Sequence, residues 1–198
     1  MNPLLSVRGA IVTGFILAVI VSVAVSHYTP AELGVTVWIH ILSGVMWIGL
    51  LYYFNVVQTP GMAVAAADKG GPGGAGVNKY IAPLALVWFR WAAVATWVTG
   101  VAYLVRAGTF GSAVTLGNFG QEHYGLVIGI GGYLGTIMLL NVWVFIWPNQ
   151  KKILGIVPAS DEAKASARKV ALLASRTNFV LSIPMLMCMG GSNHPLPF

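Results

Sequence analysis

The sequence predicts an all-α protein: an integral membrane bundle of about five transmembrane helices, forming a single domain over residues 1–198. Three observations predict it. Only 8% of the residues are charged and 57% are hydrophobic, whereas a soluble domain carries about 25% charged residues. Five apolar stretches are long enough to cross a hydrocarbon core of about 30 Å at about 20 residues each. The basic residues outside those stretches collect on one side, as the positive-inside rule requires of a multi-pass protein.

The five stretches fall near 5–26, 35–58, 81–106, 124–147 and 170–190. The first reads as a retained helix, because no clean small-x-small cleavage site follows it. Outside the spans, Arg8, Lys69, Lys79, Lys151, Lys152, Lys164, Arg168, Lys169 and Arg176 fall on one side, and Arg106 alone on the other. This puts the N-terminus in the cytoplasm and the C-terminus outside, as an odd number of spans demands. The net charge of +6 then reflects topology, and no nucleic-acid partner is expected. The single cysteine, Cys188, excludes an intrachain disulfide framework, a Cys-x-x-Cys pair and a Cys-x-x-Cys-His haem attachment. The loop 59–80 contains Gly-Gly-Pro-Gly-Gly-Ala-Gly but no Gly-Lys-Ser/Thr ending, so it reads as a flexible connector rather than a phosphate cradle. Ser160, followed by Asp161 and Glu162, reads as the capped start of a helix that runs into the fifth span. Pro184 should kink that span.

Function is sought in the polar residues that the spans retain. The four histidines are His27, His40, His123 and His194. Each lies at or beyond the end of a span opposite the lysine-rich loops. Imidazoles are good metal and haem-iron ligands, and an ionisable group inside a bilayer is a functional candidate by default. On the second span, His40, Gly44, Trp47, Leu51, Asn55 and Gln58 share one face by helical spacing. They offer a ligand, a gap, an aromatic wall and two amides. Gly44 gives space for a porphyrin edge beside an axial His40; in the plainer reading it only lets helices approach. The fourth span opens with His123 and carries Gly125, Gly129, Gly131, Gly132 and Gly135, small residues that admit another backbone or a flat cofactor. His123 and His194 compete as second ligand, and His27 reads as a loop residue. Arg106 could pair with anionic haem propionates or simply snorkel. The candidate metal ligands are therefore His40, His123 and His194. Met185, Met187 and Met189 suit Cu(I) by softness, but on an apolar span they read first as packing residues.

A second group collects toward the lysine-rich side: Asn55, Gln58, Arg90, Asn141, Arg176 and Asn178. Polar groups inside a bundle need partners, so Asn55, Asn141 and Asn178 are expected in one hydrogen-bonded neighbourhood. The group reads either as structural glue or as a polar pocket.

Three segments carry a resemblance. They are His40…Trp47-Ile-Gly-Leu-Leu-Tyr-Tyr-Phe-Asn55-Val-Val-Gln58-Thr-Pro, then Gly135-Thr-Ile-Met…Asn141-Val-Trp…Trp147-Pro-Asn-Gln-Lys-Lys, and Arg176-Thr-Asn-Phe-Val-Leu-Ser-Ile-Pro-Met. They resemble the membrane domain of bacterial urate hydroxylases, the urate oxidase N-terminal family, in a short form lacking the cytochrome c domain of its longer members. The resemblance implies a bacterial inner-membrane location, a possible oxidoreductase activity of the urate-hydroxylase type, and electron flow to a periplasmic c-type cytochrome. Residues and resemblance together give the expected function: a membrane haem b protein for electron transfer, working with other membrane subunits in a respiratory or photosynthetic complex. The rival classes are a non-redox assembly subunit and a small-molecule transporter or channel.

Overall fold

The computed structural model describes residues 2–25 and 32–194. Among these residues the secondary structure is entirely helix and turn. Five helices are long and apolar enough to cross a membrane: Val7–Ala24, Glu32–Ala67, Val77–Arg106, His123–Ile153 and Asp161–Gly191. The chain packs as two compact units, Met1–Val35 and Thr36–Phe198.

In the first unit a short 3-10 turn, Pro3–Leu5, is capped by the Asn2 side chain, which accepts from the Leu4 amide at 2.9 Å. Helix α1 (Val7–Val25) follows. Its mean hydropathy of 2.2 over Val7–Ala24 marks it as apolar all round, as expected of a lipid-solvated span.

The second unit holds the core. Helix α2 (Glu32–Tyr52) runs through a π-helical turn, Tyr53–Gln58, into α3 (Thr59–Ala67). The sequence reads 59–80 as a flexible loop, yet only 68–74 is non-helical. Pro60 follows the π turn inside a continuous helix, where the locally widened turn accommodates its missing N–H, and the alanines after it favour helix. A second π turn, Val77–Ile81, leads into α4 (Ala82–Arg106). Two short pieces follow, α5 (Phe110–Val114) and α6 (Leu116–Gly120). Helix α7 (His123–Asn141) passes through a third π turn, Val142–Ile146, into α8 (Trp147–Ile153). Helix α9 (Asp161–Gly191) starts where the sequence indicates. The Ser160 hydroxyl accepts from the Ala163 amide at 3.2 Å, and Pro184 lies inside the helix.

α7 and α9 form the closest helix pair, running antiparallel, with α4 against α7. Trp47, Leu51, Phe89, Met138, Val142 and Met185 are central to the buried core. Helix α2 joins it only in its second half, through Trp47 and Leu51 and the edge-on contact of Phe54 with Phe89 at 5.6 Å. Nearer its start, α2 meets α4 through His40 and Thr96.

α6 is not a right-handed helix. Leu116, Gly117, Asn118, Phe119 and Gly120 all have positive φ, between 51° and 93°. A non-glycine residue there costs roughly 1–2 kcal/mol. The Glu122 carboxylate ties the turn down, accepting from Ser112 Oγ at 2.5 Å and from Asn118 Nδ2 at 2.6 Å. The turn seats on α7 through glycines. A Cβ on Gly125 would lie 2.8 Å from the Gly117 Cα and overlap Ser112 Oγ, and one on Gly129 would overlap the Ala113 carbonyl oxygen. These two glycines serve backbone packing.

Candidate functional site

The gap between α2 and the other helices is a cavity of about 720 Å3, walled by α2, α4, α5, α7 and α9. Binding sites for small molecules and cofactors typically span about 300–1,000 Å3. Its deep end is formed by Trp47, Gly135, Thr136 and Met185, and its other end carries Tyr103, Tyr124, Ser192 and Asn193. The space thus grades from apolar to polar.

His40 lies on the α2 wall. Its Nδ1 is 2.8 Å from the Thr96 carbonyl oxygen and 3.5 Å from Thr99 Oγ1. A carbonyl can only accept, so Nδ1 carries the proton. The Thr99 hydroxyl donates instead to the Ala95 carbonyl at 2.6 Å. The tautomer that makes this bond has its lone pair on Nε2. This is the arrangement in which ligating histidines are found: one nitrogen anchored to a backbone oxygen, the other free to bind a metal. Gly100 makes the pose possible, since a Cβ there would lie 2.9 Å from His40 Cε1 and 3.1 Å from Nδ1.

Gly44 and Trp47 line the same cavity. A Cβ on Gly44 would meet Thr96 Cγ2 at an ordinary 3.7 Å, so its absence widens the wall without being required by packing. Trp47 is 2% exposed, and its indole N–H has no hydrogen-bond partner. Such a donor is costly to bury unpaired. The fourth-span glycines divide by task. Gly131 accommodates α9, with its notional Cβ 3.0 Å from Cys188 Cβ. Gly132 and Gly135 face open space and line the cavity. Opposite them, Trp97 Nε1 donates to Thr136 Oγ1 at 2.9 Å, and that hydroxyl donates to the Gly132 carbonyl at 2.8 Å.

The other candidate ligands are not brought to this wall. His123, at the first position of α7, and His194 are both exposed, and neither lines the cavity. Arg106 is the last residue of α4, exposed, one turn beyond the cavity-lining Tyr103. His27 lies outside the described residues. Among the described residues no group of three or more His, Cys, Asp or Glu side chains could hold a metal ion.

The second polar group lies away from the cavity. Asn141 Nδ2 donates to Asn178 Oδ1 at 2.7 Å and to the Ala174 carbonyl at 2.8 Å, and Asn178 Nδ2 donates to the Met138 carbonyl at 3.0 Å. Asn55, inside its π turn, donates to the Leu51 carbonyl at 2.8 Å and to Ser175 Oγ at 2.9 Å. The three amides thus all tie into one stretch of α9, Asn55 through a serine one turn from Asn178. Arg90 is 8% exposed, with its guanidinium carbon 3.3 Å from the Trp147 ring centroid and 5.8 Å from that of Trp143. Gln58 is half-buried with an unpartnered Oε1, and Arg176 is exposed.

Thr96, Gly100 and Ser175 complete these sites without standing out in the sequence. Gly100 alone left a signal, as the one glycine within the third span, but its partner could not be read from spacing.

Fold and site define a helical protein with membrane-spanning capacity and an apolar, histidine-bearing cavity. The urate oxidase N-terminal family model matches residues 121–198, the C-terminal part of the chain. It covers α7 to α9, whereas His40 lies outside it. No curated protein and no solved structure matches the chain.

Proposed function

We propose that this protein is a multi-pass bacterial inner-membrane electron carrier whose α2 cavity would hold a b-type haem, with His40 Nε2 as a ligand of its iron. One observation carries the reading: the anchored Nδ1–H of His40 leaves Nε2 as the metal-binding nitrogen on the wall of a cofactor-sized apolar cavity. The fit extends to the other walls. Gly44, Gly132 and Gly135 keep side chains out of the space a flat ring needs. Trp47 offers both an apolar face and an unpaired N–H. Tyr103, Tyr124 and Asn193 make the opposite end suitable for anionic substituents, with Arg106 one turn further. When bound, the haem would supply one-electron redox chemistry. The chain's own part is to fix the imidazole, exclude water and shield the ring's apolar surface.

The loop basic residues orient the protein with its N-terminus in the cytoplasm and the His40 end of the bundle outside. A periplasmic c-type cytochrome and other membrane subunits are the fitting partners at that face. A urate-hydroxylase-type oxidation rests on the family match alone.

The test is a reduced-minus-oxidised spectrum and haem extraction of the protein purified from membranes, with His40→Ala beside it. Wild-type protein should carry haem b, and the variant should lose it while keeping its helical content. Wild type without haem, or a variant with full haem and an unchanged spectrum, overturns the proposal.

A further inference from the structure

The cavity wall offers a single imidazole, so the opposite side of a bound haem must be completed by something else or left open. Met189 lies on the α9 wall of the same cavity. Its depth follows from helix register. Tyr52 of α2 stacks on Phe179 of α9, with ring centroids 4.8 Å apart. Asn55, further along α2, bonds to Ser175, further back along α9, so the two helices run antiparallel. Both rise 1.5 Å per residue. Stepping equally from Tyr52 back to His40 and from Phe179 forward along α9 reaches Gly191, in the same helical turn as Met189 and two residues past it. Met185 is one turn deeper and belongs to the buried core. Met187 does not line the cavity. Cys188 packs on the α7 side, at the backbone gap left by Gly131. Met189 is half-buried, and its Cε also lies by that gap, 3.2 Å from where a Gly131 Cβ would be. The Met189 Cε thus fills the space that a side chain at 131 would take on α7.

We infer that Met189 Sδ would be the second protein ligand of that haem, so that the iron would be held by one imidazole and one thioether from two antiparallel helices that line the same cavity. The inference rests on the proposed haem site and gives it a direction. A thioether is a soft ligand that favours ferrous iron, and His/Met ligation raises the reduction potential above that of a two-histidine haem. Such a centre accepts electrons from low-potential donors and passes them to a high-potential acceptor. It is not an open-coordinate site for dioxygen.

The experiment uses the full chain with haem b, natively loaded or reconstituted with iron protoporphyrin IX, and compares Met189→Leu, Met189→His and Met185→Leu. Electronic and magnetic circular dichroism spectra of the oxidised protein report the sulfur-to-iron charge-transfer band, and redox titration gives the midpoint potential. Wild type should be low-spin with that band. Met189→Leu, nearly isosteric, should retain haem through His40, lose the band, turn high-spin and titrate lower. Met189→His should return to low-spin without the band, and Met185→Leu should keep it. Haem present with a two-imidazole signature, unmoved by Met189→Leu, overturns the ligand assignment and leaves the haem site standing. Loss of the band in Met185→Leu but not in Met189→Leu also overturns it. Absence of haem from wild type removes the underlying site itself.

Discussion

Gly100→Ala is the most direct test of how His40 is held. In an ordinary helix interior this change stabilises by about 0.5–1 kcal/mol, because glycine loses more backbone freedom on folding. Here the new methyl would lie 2.9 Å from His40 Cε1 and 3.1 Å from Nδ1, against a comfortable carbon–carbon separation of about 3.5–4.0 Å. The ring is rigid and its Nδ1 is pinned to Thr96, so it must swing away and break that bond. Overpacking costs about 1–3 kcal/mol, and the lost hydrogen bond about 0.5–1.5 kcal/mol. Together these exceed the gain from propensity, giving a net loss of about 1–3 kcal/mol. Reversible unfolding in mixed micelles, followed by circular dichroism, measures it. Gly190→Ala is the control, since a Cβ there meets nothing within 4 Å and the residue does not line the cavity, and it should be neutral or slightly stabilising. In the same samples Gly100→Ala should hold at most a tenth of the wild-type haem. A Gly100→Ala protein that is more stable than wild type by the full propensity gain, with haem content unchanged, would refute the reasoning from His40 outward.

Three further predictions concern the scaffold. Gly125→Ala should destabilise by about 2–3 kcal/mol, because its methyl meets Gly117 backbone and Ser112; unfolding curves beside those of Gly190→Ala check it. The Asn141–Asn178 bond should show a coupling of about 0.6–1.7 kcal/mol in a double-mutant cycle of Asn141→Leu and Asn178→Leu, the range seen for hydrogen bonds between membrane helices, and additive single effects would mean the 2.7 Å contact contributes nothing. Reporter fusions at Gly73 and Gly155 should report the cytoplasm and a fusion after the C-terminus the outside; a cytoplasmic C-terminus would reverse the face to which the cavity's polar end belongs.

The sequence by itself determined the helices. Whether a segment is long and apolar enough to span a bilayer depends on its own residues, so the five spans could be read from composition. The Ser160 cap and the shared face of His40, Gly44 and Trp47 were legible for the same reason, since they follow from neighbours within a few residues. One departure at this level was 59–80, where glycines drew attention away from the helix-favouring run Pro60–Ala67. The tertiary structure decided which of those residues meet. Nothing local to His123 or His194 tells that they stay off the cavity wall, because the answer depends on how the left-handed turn Leu116–Gly120 seats on α7 and where α9 ends. Nothing local to Thr96, Gly100 or Met189 marks them as neighbours of His40's site. A carbonyl bonded to an imidazole 56 positions away, a glycine that clears space for a ring on another helix, and a thioether brought level by antiparallel register are properties of distances between helices. Those distances are fixed by packing, and a linear pattern of hydrophobicity does not contain them.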